Sequence, residues 1–242
     1  MVDWISGRNQ QYRIKSEENE MNIAIDGPAG AGKSTIAKMV AEKLSYIYVD
    51  TGAMYRTIAL YLLNNNISAD KVADIEAALG DISISLAYEN GMQQMYLNGE
   101  NVSAQIRNER VGNMASKTSA LPCVRAFLLE LQRGLAREND VVMDGRDIGT
   151  NILPDAEVKV YLTASSSVRA KRRYDELVAK GETPLLDKIE NDIIQRDYQD
   201  MHRDIAPLKQ ADDAVFIDSS DMSINEVADS IIKLTNNKTE IG

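Results

Sequence analysis

The stretch that decides the fold runs from Ile23 to Leu44 and reads IAIDGPAGAGKSTIAKMVAEKL. A short apolar run ends in Asp26, three glycines follow within six residues, and then come Lys33, Ser34, Thr35 and a helical pattern. Gly27-Pro28-Ala29-Gly30-Ala31-Gly32-Lys33-Ser34 meets every fixed position of G-x-x-x-x-G-K-[ST], between a predicted strand and a predicted helix, which is the context this motif requires. Consecutive backbone N–H groups with no Cβ in the way form a concave nest for phosphate oxygens, and the helix N-terminus adds partial positive charge. In such a loop Lys33 reaches the β- and γ-phosphates of a nucleoside triphosphate and Ser34 ligates Mg²⁺. Residues 27–35 are therefore the candidate ATP-binding segment. The bland alternative, a flexible glycine turn, is disfavoured by the flanking strand and helix.

Working outward, strand and helix patterns alternate. YIYVD at 46–50 reads as a second strand, followed by a helix carrying Tyr55, Ile58, Ala59 and Leu62. VVMD at 141–144 and VKVYLTA at 158–164 read as buried strands, and AVFID at 214–218 as the last strand. Short apolar strands separated by helices predict an α/β fold with a parallel sheet covered on both faces. Ser223 and Glu226 form an S-x-x-E capping box ahead of Val227, Ile231 and Ile232 and predict the final helix. The segment from Asp81 to Val102 breaks the pattern. It alternates with period two and carries Asn-Gly at 90–91 and 98–99, the dipeptide of tight hairpins. A small antiparallel insert over about 81–103 is predicted.

Composition sets outer limits. The chain has 242 residues, 44% of them apolar, and no apolar run reaches the roughly 20 residues that span a bilayer. Residues 1–20, polar and without a sustained period, read as a mobile extension with no signal-peptide core. The single cysteine, Cys123, cannot form an internal disulfide and suits a reducing cytoplasm. With 27 basic against 37 acidic residues the net charge is -10, a field that opposes general binding to nucleic acid or an anionic membrane. An anionic ligand must then be held by local positive charge.

Candidates for that charge follow. Arg169, Arg172 and Arg173 stand at i, i+3 and i+4 and share a helix face. Thr183 and Pro184 suit the N-cap and first position of the next helix. Leu186, Ile189 and Ile193 make its apolar stripe, and the same stepping continues onto Arg196, Asp200 and Arg203. Buried charges are costly unless paired or liganded, so this face either enters water or lines an anion-binding cleft, and the cleft is preferred. Asp144 ends a buried strand, where its carboxylate can hold Mg²⁺ through water.

Together, IDGPAGAGKST, YVDTGAMYR, MDGRDIGT, LTASSSVRAKRR and QRDYQDMHRDIAPL resemble the bacterial cytidylate kinase family, from Met21 to about Leu234. The resemblance implies one kinase domain over 21–242, with a core carrying the P-loop at 27–34. It also implies a monophosphate-binding lobe over about 51–117, including the β insert, and a lid over about 165–182. It assigns catalytic charge to Lys33, Arg146, Arg169 and Arg173, and ATP contacts to Arg169 and Arg172. Thr51 and Arg56 match contacts to the acceptor phosphate. Ser116, Arg125 and Asp147 match readers of cytosine, Arg146, Arg196 and Arg203 phosphate or sugar contacts, and Asp200 a pentose contact. Ser34 and Asp144 match the Mg²⁺ site. Two features depart from the family: no acidic pair precedes Arg169, and Asn151 stands where an apolar residue is common. The implied reaction passes the ATP γ-phosphoryl group to CMP or dCMP, in a monomer. The rivals are a kinase for UMP or another monophosphate, and a GTP-dependent switch. The switch's N-K-x-D signature is met only by Asn237-Lys238-Thr239-Glu240, with Glu in place of Asp.

Overall fold

The structure, a computed structural model, describes residues 21–89 and 92–239. The extension at 1–20, the Asn90-Gly91 pair and Glu240 of the N-K-x-E match lie outside the described residues. In chain order come β1 (Asn22–Asp26), α1 (Lys33–Leu44), β2 (Ile47–Asp50), α2 (Thr51–Asn64), α3 (Val72–Leu79), β3 (Ile84–Glu89), β4 (Met92–Leu97) and β5 (Glu100–Asn101). A 3-10 turn (Gln105–Arg107), α4 (Glu109–Thr118), α5 (Pro122–Glu138), β6 (Val141–Gly145), a π-turn (Ile148–Ile152) and β7 (Val158–Thr163) follow. The chain continues through α6 (Ser166–Ala179), α7 (Leu186–His202), β8 (Val215–Asp218) and α8 (Ile224–Thr239). Two compact units divide it: residues 49–138, and residues 21–48 with those from 139 onward.

The second unit is built on a sheet of order β2-β6-β1-β7-β8. β1 pairs in parallel with β6 and β7, and β7 with β8. Ile23, Ala24, Ile25, Val141, Val142, Met143, Val160 and Leu162 are all buried, which is why these strands read as unbroken apolar runs rather than alternating ones. Ile36, Val40 and Ala41 of α1 and Val227, Ala228 and Ile231 of α8 join the strand residues in one core cluster. Ser223 Oγ accepts the Glu226 N–H and Glu226 accepts the Ser223 N–H at 2.8 Å, so the capping box forms. β8 departs from the buried pattern. Among the described residues it has a sheet neighbour on one side only, and Val215 and Phe216 are exposed, Phe216 stacking on Tyr161.

α7 starts two residues later than Thr183 and Pro184 suggest. α6 closes through Gly181 at φ 82°, whose N–H donates to the Val178 carbonyl, and Leu185 is still extended at φ -100°, ψ 122°. The turn cannot begin before Leu185, so Leu186 stays exposed while Ile193 is buried.

The first unit holds the predicted insert. β3 pairs antiparallel with β4, and β4 with β5. Asn98 (φ 51°) and Gly99 (φ 84°) turn the β4–β5 hairpin with the two positive φ angles such a turn needs. Ile84, Leu86, Met95 and Leu97 make the insert's buried face.

Candidate nucleotide site

The glycine loop leaves β1 under tight steric constraint. Gly27 sits at φ 151°, and a Cβ there would lie 1.9 Å from the Leu162 carbonyl oxygen of β7. Any other residue would push the loop off the sheet. At the far end Gly32 occupies the N-cap of α1 and has no side chain to take the helix's first N–H groups. Those donors remain for an anion. Lys33 is buried and its Nζ donates to the Pro28 carbonyl at 2.8 Å, across the loop. Burial pushes its ammonium well below the ordinary lysine range, and the Arg146 guanidinium adds to this, against Asp144, Asp26 and Asp200. An arriving polyanion would oppose that shift by favouring the charged form.

Two strand-end carboxylates flank the loop. Asp144 on β6 accepts from Ser34 Oγ at 3.0 Å and from the Tyr48 hydroxyl at 2.8 Å. The Ser34 and Asp144 oxygens thus converge as hard donors, a set that fits Mg²⁺ held directly by the hydroxyl and through water by the acid. Among the described residues no group of three or more His, Cys, Asp or Glu could hold a metal by itself. Asp26 on β1 accepts the N–H groups of Ile148 and Gly149, each at 2.8 Å. Burial outweighs these bonds, and its pKa is pushed up to about 6. The sequence showed this residue only as an acid closing an apolar strand, the same signal that marked Asp144.

The ionic face of α7 turns inward. Buried Asp200 accepts from Arg146 Nε at 2.9 Å, and Arg146 also donates to the Gly145 carbonyl. Asp147, 3% exposed, accepts from Arg203 at 3.3 Å on Oδ1 and from Asn151 Nδ2 at 3.1 Å on Oδ2. Arg203 is fixed further by donating to the Ala206 carbonyl at 2.7 Å. The structure so brings together Lys33, Ser34, Asp144, Arg146, Asp147, Asp200 and Arg203 within one unit, with Arg196 half-buried on the same helix.

The arginines of α6 part company. Arg169 is buried and donates to the carbonyls of Ala164 (2.8 Å) and Ala29 (2.9 Å), the latter in the glycine loop itself, and pairs with Asp197 at 2.7 Å. Asp197 is a partner that sequence reasoning missed, because it falls one residue off the stepping that picked out Arg196 and Asp200. Arg172 donates to the Ser219 carbonyl at 2.8 Å, and its guanidinium would lie 3.9 Å from a Cβ on Gly32. Arg173 is exposed and pairs with Glu176 of its own helix at 3.1 Å.

The first unit carries its own set. Asp50 caps α2 by accepting the Ala53 N–H at 2.8 Å and pairs with Arg107 at 2.9 Å. Thr51 is buried in the first turn of that helix. Arg56, one turn on, donates to the Ile106 carbonyl at 3.4 Å. Arg125 on α5 is buried, donates to the Ser119 carbonyl at 3.2 Å and lies 5.8 Å from the Tyr55 ring centre, within cation–π range. Ser116 is half-buried on α4.

The family model described as cytidylate kinase matches residues 23–237. A cytidylate kinase from Lactobacillus johnsonii is 47% identical over 90% of this chain and 95% of its own length. Those from Caldicellulosiruptor saccharolyticus and Thermosipho melanesiensis are 48% and 46% identical, covering 89% and 90% of this chain and 95% and 98% of their own lengths.

Proposed function

The chain belongs to the cytidylate kinase family, and from that premise we propose that it transfers the γ-phosphoryl group of ATP to the 5′-phosphate of CMP or dCMP, giving ADP and CDP or dCDP. The acceptor oxygen already carries charge at neutral pH, so the chemistry needs no general base. Alignment and charge stabilisation do the work. The N–H groups of residues 27–35 cradle the donor phosphates. Lys33 places its charge where the transferring group is most negative. Mg²⁺ bound with ATP, at Ser34 and Asp144, supplies further neutralisation of the phosphate oxygens. Arg169 and Arg172 stand at the loop. Arg173 exchanges its solvent-exposed bond to Glu176 for the phosphates as residues 165–182 close over ATP.

On the acceptor side, Thr51 and Arg56 hold the monophosphate, and Arg146, Arg196 and Arg203 meet phosphate or sugar. Asp200 orients Arg146 and takes a pentose hydroxyl. Ser116, Arg125 and Asp147 read the base. The observation that carries this specificity is Asp147. It is a buried carboxylate held by Arg203 on one oxygen and Asn151 on the other, and a carboxylate can only accept. Cytosine offers an N4 amine that donates there, whereas uracil offers O4, which accepts. Arg125 can only donate and suits N3 and O2 of cytosine. A mismatched base leaves buried polar groups unpaired, so CMP is preferred over UMP by orders of magnitude.

The test is kcat/KM for CMP and UMP in wild type and in Asp147→Asn, whose amide can present a donor to O4. The variant is expected to lose CMP activity and to narrow the CMP/UMP ratio at least tenfold. A wild type that uses UMP as well as CMP, or an unmoved ratio in the variant, overturns the reading.

A further inference from the structure

The β insert carries a polar residue on its apolar face. Met95 and Leu97 of β4 are buried, and Gln93, two residues before Met95, falls on the same side by the strand's period of two. Packing gives no reason for an amide there, but its partners do. Gln93 Oε1 accepts the Asp50 N–H at 2.8 Å, and Gln93 Nε2 donates to the Asp50 carbonyl at 3.4 Å and to Met95 Sδ at 3.0 Å. Asp50 is the last residue of β2, which among the described residues has a sheet neighbour on one side only. The N–H and C=O of one strand residue face the same edge, so the Gln93 amide bonds Asp50 as a further strand would. The Asp50 side chain is engaged as well. Oδ1 accepts the Ala53 N–H at 2.8 Å, where a Cβ on Gly52 would crowd it at 3.2 Å, and Oδ2 pairs with Arg107 at 2.9 Å. Thr51 follows as the first residue of α2, and Arg56 lies one turn on, its guanidinium donating to the Ile106 carbonyl and standing 3.8 Å from a Cβ on Gly112.

We infer that Gln93 is a positioning residue for the acceptor phosphate: through it the insert fixes the Asp50–Thr51 turn and so sets the direction in which α2 presents Thr51 and Arg56. The inference rests on the assignment of Thr51 and Arg56 to that phosphate, and it gives the insert a part in the reaction. The phosphate is common to all nucleoside monophosphates. Loss of Gln93 therefore acts on CMP and UMP alike and leaves the base preference where it is. A general loosening of this unit would also displace Ser116 and Arg125, and the preference would narrow.

The experiment is steady-state kinetics of Gln93→Ala with CMP, UMP and ATP. KM for CMP is expected to rise at least threefold, with KM for ATP within twofold of wild type and the CMP/UMP ratio of kcat/KM also within twofold. Adding Gln93→Ala to Thr51→Ala should raise KM for CMP by less than the product of the two single effects, since both act on one contact. The inference is overturned if KM for CMP rises less than threefold, if KM for ATP or the CMP/UMP ratio moves more than twofold, or if the double variant shows the full product. If Thr51→Ala and Arg56→Ala themselves leave KM for CMP unmoved, the acceptor-phosphate assignment falls and this inference with it. If they raise it and Gln93→Ala does not, the inference alone falls. Should Gln93→Ala not fold, the same constants are read in Gln93→Met, which keeps the length without the amide's donor and acceptor.

Discussion

Removing the partner of Arg169 tests whether α6 is fastened to the glycine loop as the geometry indicates. Arg169 and Asp197 side chains are 6% and 12% exposed, and their 2.7 Å contact is an ion pair largely withdrawn from water. Truncating Asp197 to Ala leaves the guanidinium buried with two carbonyls, Ala164 and Ala29, and no countercharge. Breaking such a pair from one side costs about 3–5 kcal/mol. The two surviving carbonyl bonds place this case at the low end, about 3 kcal/mol. At this chain size about 2–4 °C is lost per kcal/mol, so the melting temperature should fall by roughly 6–12 °C. The assay is thermal unfolding followed by circular dichroism, with Asp197→Asn as the second arm, since it keeps an acceptor and should fall less. A drop smaller than about 3 °C for Asp197→Ala would refute the reasoning: water would then be solvating Arg169, and α6 would not be clasped to the loop.

Two more outcomes are expected. Lys33→Ala should retain the fold and lose more than nine-tenths of kcat, a barrier increase above ~1.4 kcal/mol; steady-state kinetics with saturating ATP and CMP checks this, and a smaller loss removes Lys33 from the phosphate site. Asp26 should give a pH signature. Its folded pKa of about 6 lies above the ordinary value of 3.8, so the folded state binds the proton more tightly. Its contribution to stability therefore falls as pH rises from about 4 to 6, by about 3 kcal/mol, and is constant above. The melting temperature of Asp26→Asn relative to wild type should rise over that window, and a difference that stays flat from pH 4.5 to 7 would show that Asp26 is not desolvated.

What was legible in the sequence is what local chemistry determines. The glycine loop declared itself because its backbone geometry needs glycine at fixed spacing, and β1, β6 and β7 because strands buried on both faces are apolar throughout. The Ser223–Glu226 box and the Asn98-Gly99 turn likewise act over four residues or fewer. What was not legible depends on neighbours remote in sequence. Thr183 and Pro184 have the propensities of a helix start, but the closure of α6 at Gly181 keeps the chain extended through Leu185. Val215 and Phe216 read as core until the sheet order places their strand at an edge. Asp26 and Asp197 carry no motif at all. Each becomes interpretable only when the partner, Gly149 or Arg169, is brought alongside.

The charges on α7 show why so much of this site can be ionic without substrate. Among the described residues, Asp197 pairs with Arg169 of α6, Asp200 with Arg146 at the end of β6, and Arg203, just past the helix, with Asp147 before the π-turn. The three positions step by three, so one inward face of one helix sets the direction of cations and anions arriving from three other segments. Each guanidinium spends part of its five donors on its acid and part on a nearby carbonyl, which fixes its orientation. The side-chain entropy of holding those arginines is met when the protein folds rather than when a nucleotide binds, which is how preorganised charge lowers a barrier. The same arrangement makes the helix register strict. One residue inserted between Ile193 and Asp197 would rotate the acids by about 100° away from their arginines. Ile193, buried on the turn before, is therefore part of the charge arrangement: its packing against the core holds the rotation at which all three pairs close.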